Sequence, residues 1–142
     1  MIYLLNGQPG SGKTNIAKEL TKLVANPIHI EENKLRDSLN NHDYTHEGKI
    51  EFIKNIITIA KYLDNEQFNV IISVVCPYRY LRESFKKNNN VKEIYVHNDN
   101  LSFIKKKNFC DNYEIPVDNY IDINNTNLSI DESINIILKF LS

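Results

Sequence analysis

Apolar runs alternate with helix-period segments from one end of the chain to the other. Residues 2–5 form a short, wholly apolar run that stops at a glycine-rich turn, the pattern of a strand buried on both faces. Ile16, Ala17, Leu20, Leu23 and Val24 then recur at helical spacing, until Asn26-Pro27 breaks the pattern ahead of a short strand over residues 28–30. A brief helix is expected over residues 34–39 and a loop over 40–44. Thr45 is placed to cap a helix that buries Ile50, Ile53, Ile56, Ile57, Ala60 and Leu63. Residues 68–75 are nearly all β-branched, the strongest strand in the chain, and Pro77 ends it. Beyond it the pattern gives helix over 80–85, strand over 93–97, helix over 101–107, a loop over 109–118 and a strand over 120–123. Ser129 or Asp131 starts a closing helix, with Ile130, Ile134, Ile137, Leu138 and Leu141 on its buried side. Five strands separated by helical crossovers predict a single α/β domain over residues 1–142: a five-stranded parallel sheet with helices on both faces.

Composition fits that picture and narrows it. The 142 residues suffice for one such domain and are too few for a second core. A net charge of −1 gives no basic field to draw nucleic acid or an anionic membrane, so bound anions need a local site. Cys76 and Cys110 form no C-x-x-C pair and are expected to be reduced thiols. The apolar N-terminus is too short for a signal peptide, and no window is apolar for long enough to span a bilayer. A cytoplasmic location is expected, and a homodimer is left open. His29, His42, His46 and His97 show no metal-ligand spacing.

The chemistry enters at Gly7-Gln8-Pro9-Gly10-Ser11-Gly12-Lys13-Thr14, which fills every fixed position of the P-loop pattern G-x-x-x-x-G-K-[ST]. An apolar strand leads in and a helix leads out. Glycines let backbone N–H groups turn inward around phosphate oxygens, and the helix N-terminus adds partial positive charge. The nucleotide site is expected to run from Gly7 through Asn15, with Lys13 reaching the terminal phosphates of ATP and the Thr14 hydroxyl ligating Mg²⁺. Three of the four glycines fall in this window. No Asn-Lys-x-Asp guanine signature follows, which disfavours a GTPase, and the length disfavours a motor ATPase. The P-loop nucleoside triphosphatase fold, serving a small-molecule kinase, is the remaining reading.

From the second strand onward the chain resembles the adenylyl-sulfate kinase family, whose members phosphorylate the 3′-hydroxyl of adenosine 5′-phosphosulfate (APS). The family's D-G-D-N-x-R is met by Glu31-Glu32-Asn33-Lys34-Leu35-Arg36, and its G-F-S helix start by Asp43-Tyr44-Thr45. Its S-P-Y-R segment appears as Cys76-Pro77-Tyr78-Arg79, and its Y-E-x-P as Tyr113-Glu114-Ile115-Pro116. The resemblance implies ATP and Mg²⁺ as cofactors and a small nucleotide acceptor. It also implies an acceptor site built from Arg36, Tyr44, Lys49, Phe52, Cys76, Pro77, Tyr78 and Arg79, with Lys107 touching the nucleotide.

Four departures leave the acceptor open. The family's likely general base falls on Asn33, which takes no proton at neutral pH, so Glu31 or Glu32 would have to supply the carboxylate. A family arginine becomes Lys49, which keeps charge and loses the bidentate fork. A family asparagine becomes Phe52. The longer, basic lid of the family is reduced to Asn108-Phe109-Cys110-Asp111-Asn112. Arg36 is read as a phosphate or sulfate grip, and Tyr78 as a stacking surface for a base. Cys76 is read as a packing residue within the implied acceptor segment. Lys54, Lys105 and Lys106 read more simply as solvated helix charges. The rivals to an adenylyl-sulfate kinase are a kinase for another nucleotide-linked acceptor and an ATP-binding module acting through a partner.

Overall fold

The computed structural model describes residues 1–100 and 106–141. Five strands, β1 (Ile2–Asn6), β2 (Pro27–Glu31), β3 (Asn69–Val74), β4 (Val91–His97) and β5 (Tyr120–Asn124), form one parallel sheet in the order β2-β3-β1-β4-β5. The helices are α1 (Lys13–Thr21), α2 (Glu32–Leu39), α3 (His46–Asn65), α4 (Arg79–Asn88) and α5 (Ile130–Leu141). The helix expected over residues 101–107 lies mostly outside the described residues.

The two-residue period of β1 decides the layers. Ile2 and Leu4 point to one face, where Phe52, Ile53, Ile56 and Ala60 of α3 and Leu81 and Phe85 of α4 cover them. Tyr3 and Leu5 point to the other, under Ile16, Ala17 and Leu20 of α1 and Ile134 and Ile137 of α5. All five residues of β1 are buried, as befits a central strand that reads wholly apolar up to Asn6.

Helix starts follow their caps. The Thr45 hydroxyl accepts from Gly48 N at 3.1 Å and opens α3. Ser129, rather than Asp131, opens α5 through a reciprocal capping box: its Oγ accepts from Glu132 N and its own N–H donates to Glu132 Oε1. Ile130 and Leu138, expected to be buried, are each 40% exposed. With Ile134 and Ile137 filling the contact with the sheet, those two positions rotate to the rim of the stripe.

The chain leaves β1 toward β2 on one side and β3 toward β4 on the other. The direction reverses between adjacent strands β1 and β3, which opens a crevice beyond their carboxyl ends. The glycine-rich loop follows β1 directly into that crevice.

Candidate active site

The phosphate loop is shaped by what its glycines avoid. A Cβ on Gly7 would lie 2.1 Å from the Val96 carbonyl oxygen, and one on Gly12, at φ +102°, would lie 2.2 Å from Asn125 Nδ2. Asn125, in the turn after β5, donates to the Ser11 carbonyl at 3.0 Å and so fixes the loop from outside. The Lys13 ammonium is buried and donates to the Gln8 carbonyl at 3.1 Å. Burial pulls its pKa down to about 8, against the opposing pull of Glu32 and Glu31. The buried Ser11 hydroxyl has no hydrogen-bond partner. A desolvated cation and an orphan hydroxyl at a helix N-terminus fit a bound phosphate chain. Thr14 is half-buried on the first turn of α1, and Asn15 points to solvent. Among the described residues no cluster of three acidic, histidine or cysteine side chains could hold a metal by itself. Thr14, on the first turn of the helix that follows the loop, is the residue that would help hold a phosphate-bound Mg²⁺.

Beside the loop, on the β2–β3 side, lies a cavity of about 250 Å³ walled by Glu32, Arg36, Tyr44, Lys49 and Phe52, with Val75 and Pro77 below and Phe109 and Cys110 above. The structure separates the two adjacent glutamates. Glu31 is the N-cap of α2, its carboxylate accepting from Asn33 N at 3.3 Å and Lys34 N at 3.1 Å. Glu32 turns inward, accepts from Val75 N at 3.1 Å, and faces the cavity. Burial raises its pKa, against the Val75 amide, Lys13 and Arg36, which favour the ionised form. Asn33 is exposed and lies away from the cavity.

Arg36 is only 4% exposed. Its guanidinium lies between two rings, 4.5 Å from the Tyr44 centroid and 4.1 Å from that of Phe52, and Nη1 donates to the Asn41 carbonyl. Its Nε is buried without a partner. Among the described residues Lys49 has only a long contact, 3.9 Å, to Cys110 Sγ. Among the described residues, none of Lys13, Arg36 and Lys49 forms an ion pair.

Other candidates fall elsewhere. The Cys76 thiol is buried in the core against α3 and α4, its pKa pushed up to about 12 by burial, so it belongs to packing. The Arg79 guanidinium donates twice to the Ile115 carbonyl, at 2.9 and 2.8 Å, and fastens the chain reversal instead of entering the cavity. Tyr78 is half-buried and its hydroxyl meets His46 Nδ1 at 3.1 Å, at the cavity's margin rather than in its wall. Lys54 and Lys107 are exposed. Phe109 and Cys110 of the short segment, and Asn125, were not legible as site residues. The first two replace an expected lid and close the cavity from above. The only sequence signal for Asn125 is its place just beyond the carboxyl end of a strand.

On the β4–β5 side the charged groups pair with one another. Glu93 is fully buried and meets Arg82 Nε at 2.8 Å, Lys86 Nζ at 2.7 Å and Asn6 Nδ2 at 2.9 Å. His97 bridges Asp99 and Asp122, which raise its pKa against the effect of burial. A more open groove of about 1070 Å³ lies at the amino ends of β4 and β5, far from the phosphate loop, and Glu83, Lys86 and Glu93 in its lining pair with one another.

Phosphate loop, switch-point crevice and side cavity together define a P-loop kinase architecture. The family model for adenylylsulphate kinase matches residues 1–116, and the chain belongs to that family. Over 113 residues it is 29% identical to a cytidine diphosphoramidate kinase of Campylobacter jejuni, an alignment covering 74% of this chain and 65% of the relative, just under two thirds of its length. The structure superposes on the Mycobacterium tuberculosis APS kinase in complex with AMPPNP and APS with a TM-score of 0.82 at 17% identity, covering 99% of this chain and 96% of that one. A gluconokinase from Sinorhizobium meliloti gives 0.70 at 13% identity, covering 99% and 90%. At such identities these two likenesses speak for the fold.

Proposed function

We propose that the protein transfers the terminal phosphoryl group of Mg·ATP to a hydroxyl of a compact, anionic nucleotide-type acceptor bound in the Glu32–Arg36–Lys49 cavity. The observation that carries this reading is the gathering beside Glu32 of three cations, Lys13, Arg36 and Lys49, that form no ion pair among the described residues. Buried positive charge of that kind is costly unless a ligand neutralises it. An acceptor phosphate or sulfate meets the orphan Nε of Arg36 and the Lys49 ammonium, and the triphosphate meets Lys13 and the loop amides.

Glu32 is the carboxylate placed to orient the acceptor hydroxyl and take its proton. The Val75 amide fixes its rotamer, and proximity to Lys13 sets the hydroxyl against the terminal phosphate. Thr14 would hold Mg²⁺, which when bound would neutralise charge on the transferring group. Lys13 and the P-loop amides supply the rest of the electrostatic stabilisation.

Two acceptors compete within this reading. Family membership supports APS. A cytidine nucleotide is supported by the acceptor in the name of the Campylobacter relative and by Lys49 and Phe52, which stand where the family carries arginine and asparagine. It is also supported by Arg36, which already fills the slot between the Tyr44 and Phe52 rings. A coupled ADP-release assay with Mg·ATP, run with APS, cytidine diphosphoramidate, other nucleotides and no acceptor, tests the proposal. Turnover with one nucleotide acceptor well above the no-acceptor rate is expected. ATP binding without turnover on any of them would replace the kinase reading with that of a nucleotide-binding module.

A further inference from the structure

The segment over residues 108–112 stands between two spaces. Asn108, Phe109 and Cys110 wall the 250 Å³ acceptor cavity. The opposite side of Phe109 and Cys110, with Asp111 and Asn112, walls a second space of about 530 Å³ beside Tyr95 and His97. The chain after this partition is firmly anchored. The Tyr113 hydroxyl donates to Asn6 Oδ1 at 2.7 Å, Glu114 N donates to the Pro77 carbonyl at 3.1 Å, and Arg79 and Arg82 hold the Ile115 and Glu114 carbonyls. The partition itself is tied by one side chain of the phosphate loop. Gln8 grips the backbone of Cys110 with both ends of its carboxamide: Cys110 N donates to Oε1 at 2.7 Å and Nε2 donates to Cys110 O at 2.9 Å. Its other ties among the described residues are the local turn bond from Phe109 N to the Lys106 carbonyl at 3.0 Å and the weak contact of Lys49 with the Cys110 sulfur.

We infer that Gln8 is a positioning residue that latches the short partition to the phosphate loop, and thereby sets the fit of the acceptor rather than the hold on ATP. The Gln8 side chain reaches the partition while its backbone carbonyl serves Lys13, so one residue joins the two halves of the site. A carboxamide suits the task because one planar group both accepts from and donates to a single peptide unit. A leucine of similar size makes neither bond, and a glutamate keeps the acceptor and loses the donor. The acceptor part of this inference rests on the kinase reading; the latch does not.

The test has two arms. In the first, the unliganded protein is treated with iodoacetamide and carbamidomethylation at each cysteine is followed by mass spectrometry. Cys110 is half-buried under the latch, and Cys76, buried in the core, reports any loss of fold. Gln8→Leu is expected to speed modification of Cys110 about tenfold, the scale of losing two modest hydrogen bonds, with Cys76 unreactive. Gln8→Glu should fall between Gln8→Leu and the natural protein. In the second arm, the acceptor KM is expected to rise about tenfold in Gln8→Leu while the KM for ATP moves less than about twofold, because backbone amides hold the phosphates. An unchanged Cys110 rate in both variants overturns the latch. Faster Cys110 modification with equal changes in the two KM values overturns its role in acceptor fit. A natural protein that turns over no nucleotide acceptor refutes the kinase reading instead, and the alkylation arm still decides the latch.

Discussion

The two flanks of the phosphate loop use charge in opposite ways. On the β4–β5 flank, Arg82, Lys86 and Asn6 converge on the Glu93 carboxylate, so that each buried charge has an opposite charge at 2.7 or 2.8 Å, and His97 is held between two aspartates. On the β2–β3 flank, Arg36 keeps an orphan Nε, and neither it nor Lys49 has an anionic partner among the described residues. A closed network braces; an open one waits for a ligand. The difference supports the β2–β3 flank as the site, whereas the groove of about 1070 Å³ lies at the amino ends of its strands, away from the crevice.

The sharpest way to break that comparison is to open the brace. Arg82 and Glu93 are both fully buried, and Arg82 also holds the Cys76 and Glu114 carbonyls. Arg82→Leu leaves the buried Glu93 carboxylate with Lys86 and Asn6 alone and frees two carbonyls, and should cost about 3–5 kcal/mol of unfolding free energy, read from urea denaturation. Loss below about 1 kcal/mol would mean that the network is not a brace. The acceptor flank should respond in kinetics instead. Arg36→Lys keeps the charge and loses the planar fork and its stacking, and should raise the acceptor KM about tenfold or more, with stability changed far less. Equal effects on the ATP and acceptor KM values would place Arg36 outside the acceptor site.

A pH profile sharpens the same contrast. Burial lowers the Lys13 pKa to about 8, so the free protein carries the charge below that value and loses it above. The kcat/KM for ATP, which reports the free protein, should fall about tenfold per pH unit above about 8. Bound phosphates favour the charged form, so kcat should hold to higher pH. A kcat/KM flat to about pH 9.5 would contradict the assignment. The smallest effect is expected at Glu31. Glu31→Ala removes a helix cap and should cost about 1 kcal/mol of stability while leaving kcat within a few-fold.

How much of this was legible in the chain depends on the range of the forces involved. The phosphate loop is a local backbone requirement, so its residues announce it. The strands and most helix starts are likewise local, written in β-branched runs, Thr45 and the Ser129–Glu132 box. Glu31 and Glu32 could not be told apart in sequence, because one ends a strand as a cap while the next begins a helix and turns inward. Arg79 reads as a substrate arginine until the chain reversal brings the Ile115 carbonyl beneath it. Residues 108–112 read as a missing lid, and only folding shows Gln8 holding them over the cavity. Ile130 and Leu138 satisfy the helical period, but α5 needs only a narrower stripe against the sheet.

The central claim is that chemistry occurs at the β2–β3 flank, with Glu32 as the carboxylate that serves the acceptor. The most direct measurement is ADP release by Glu32→Gln and Glu31→Gln beside the natural protein, with Mg·ATP and whichever nucleotide acceptor is turned over. Glu32→Gln should lower kcat about 10²–10⁴-fold with ATP binding preserved, and Glu31→Gln should stay within a few-fold. Full activity in Glu32→Gln, or a greater loss in Glu31→Gln, would contradict the account.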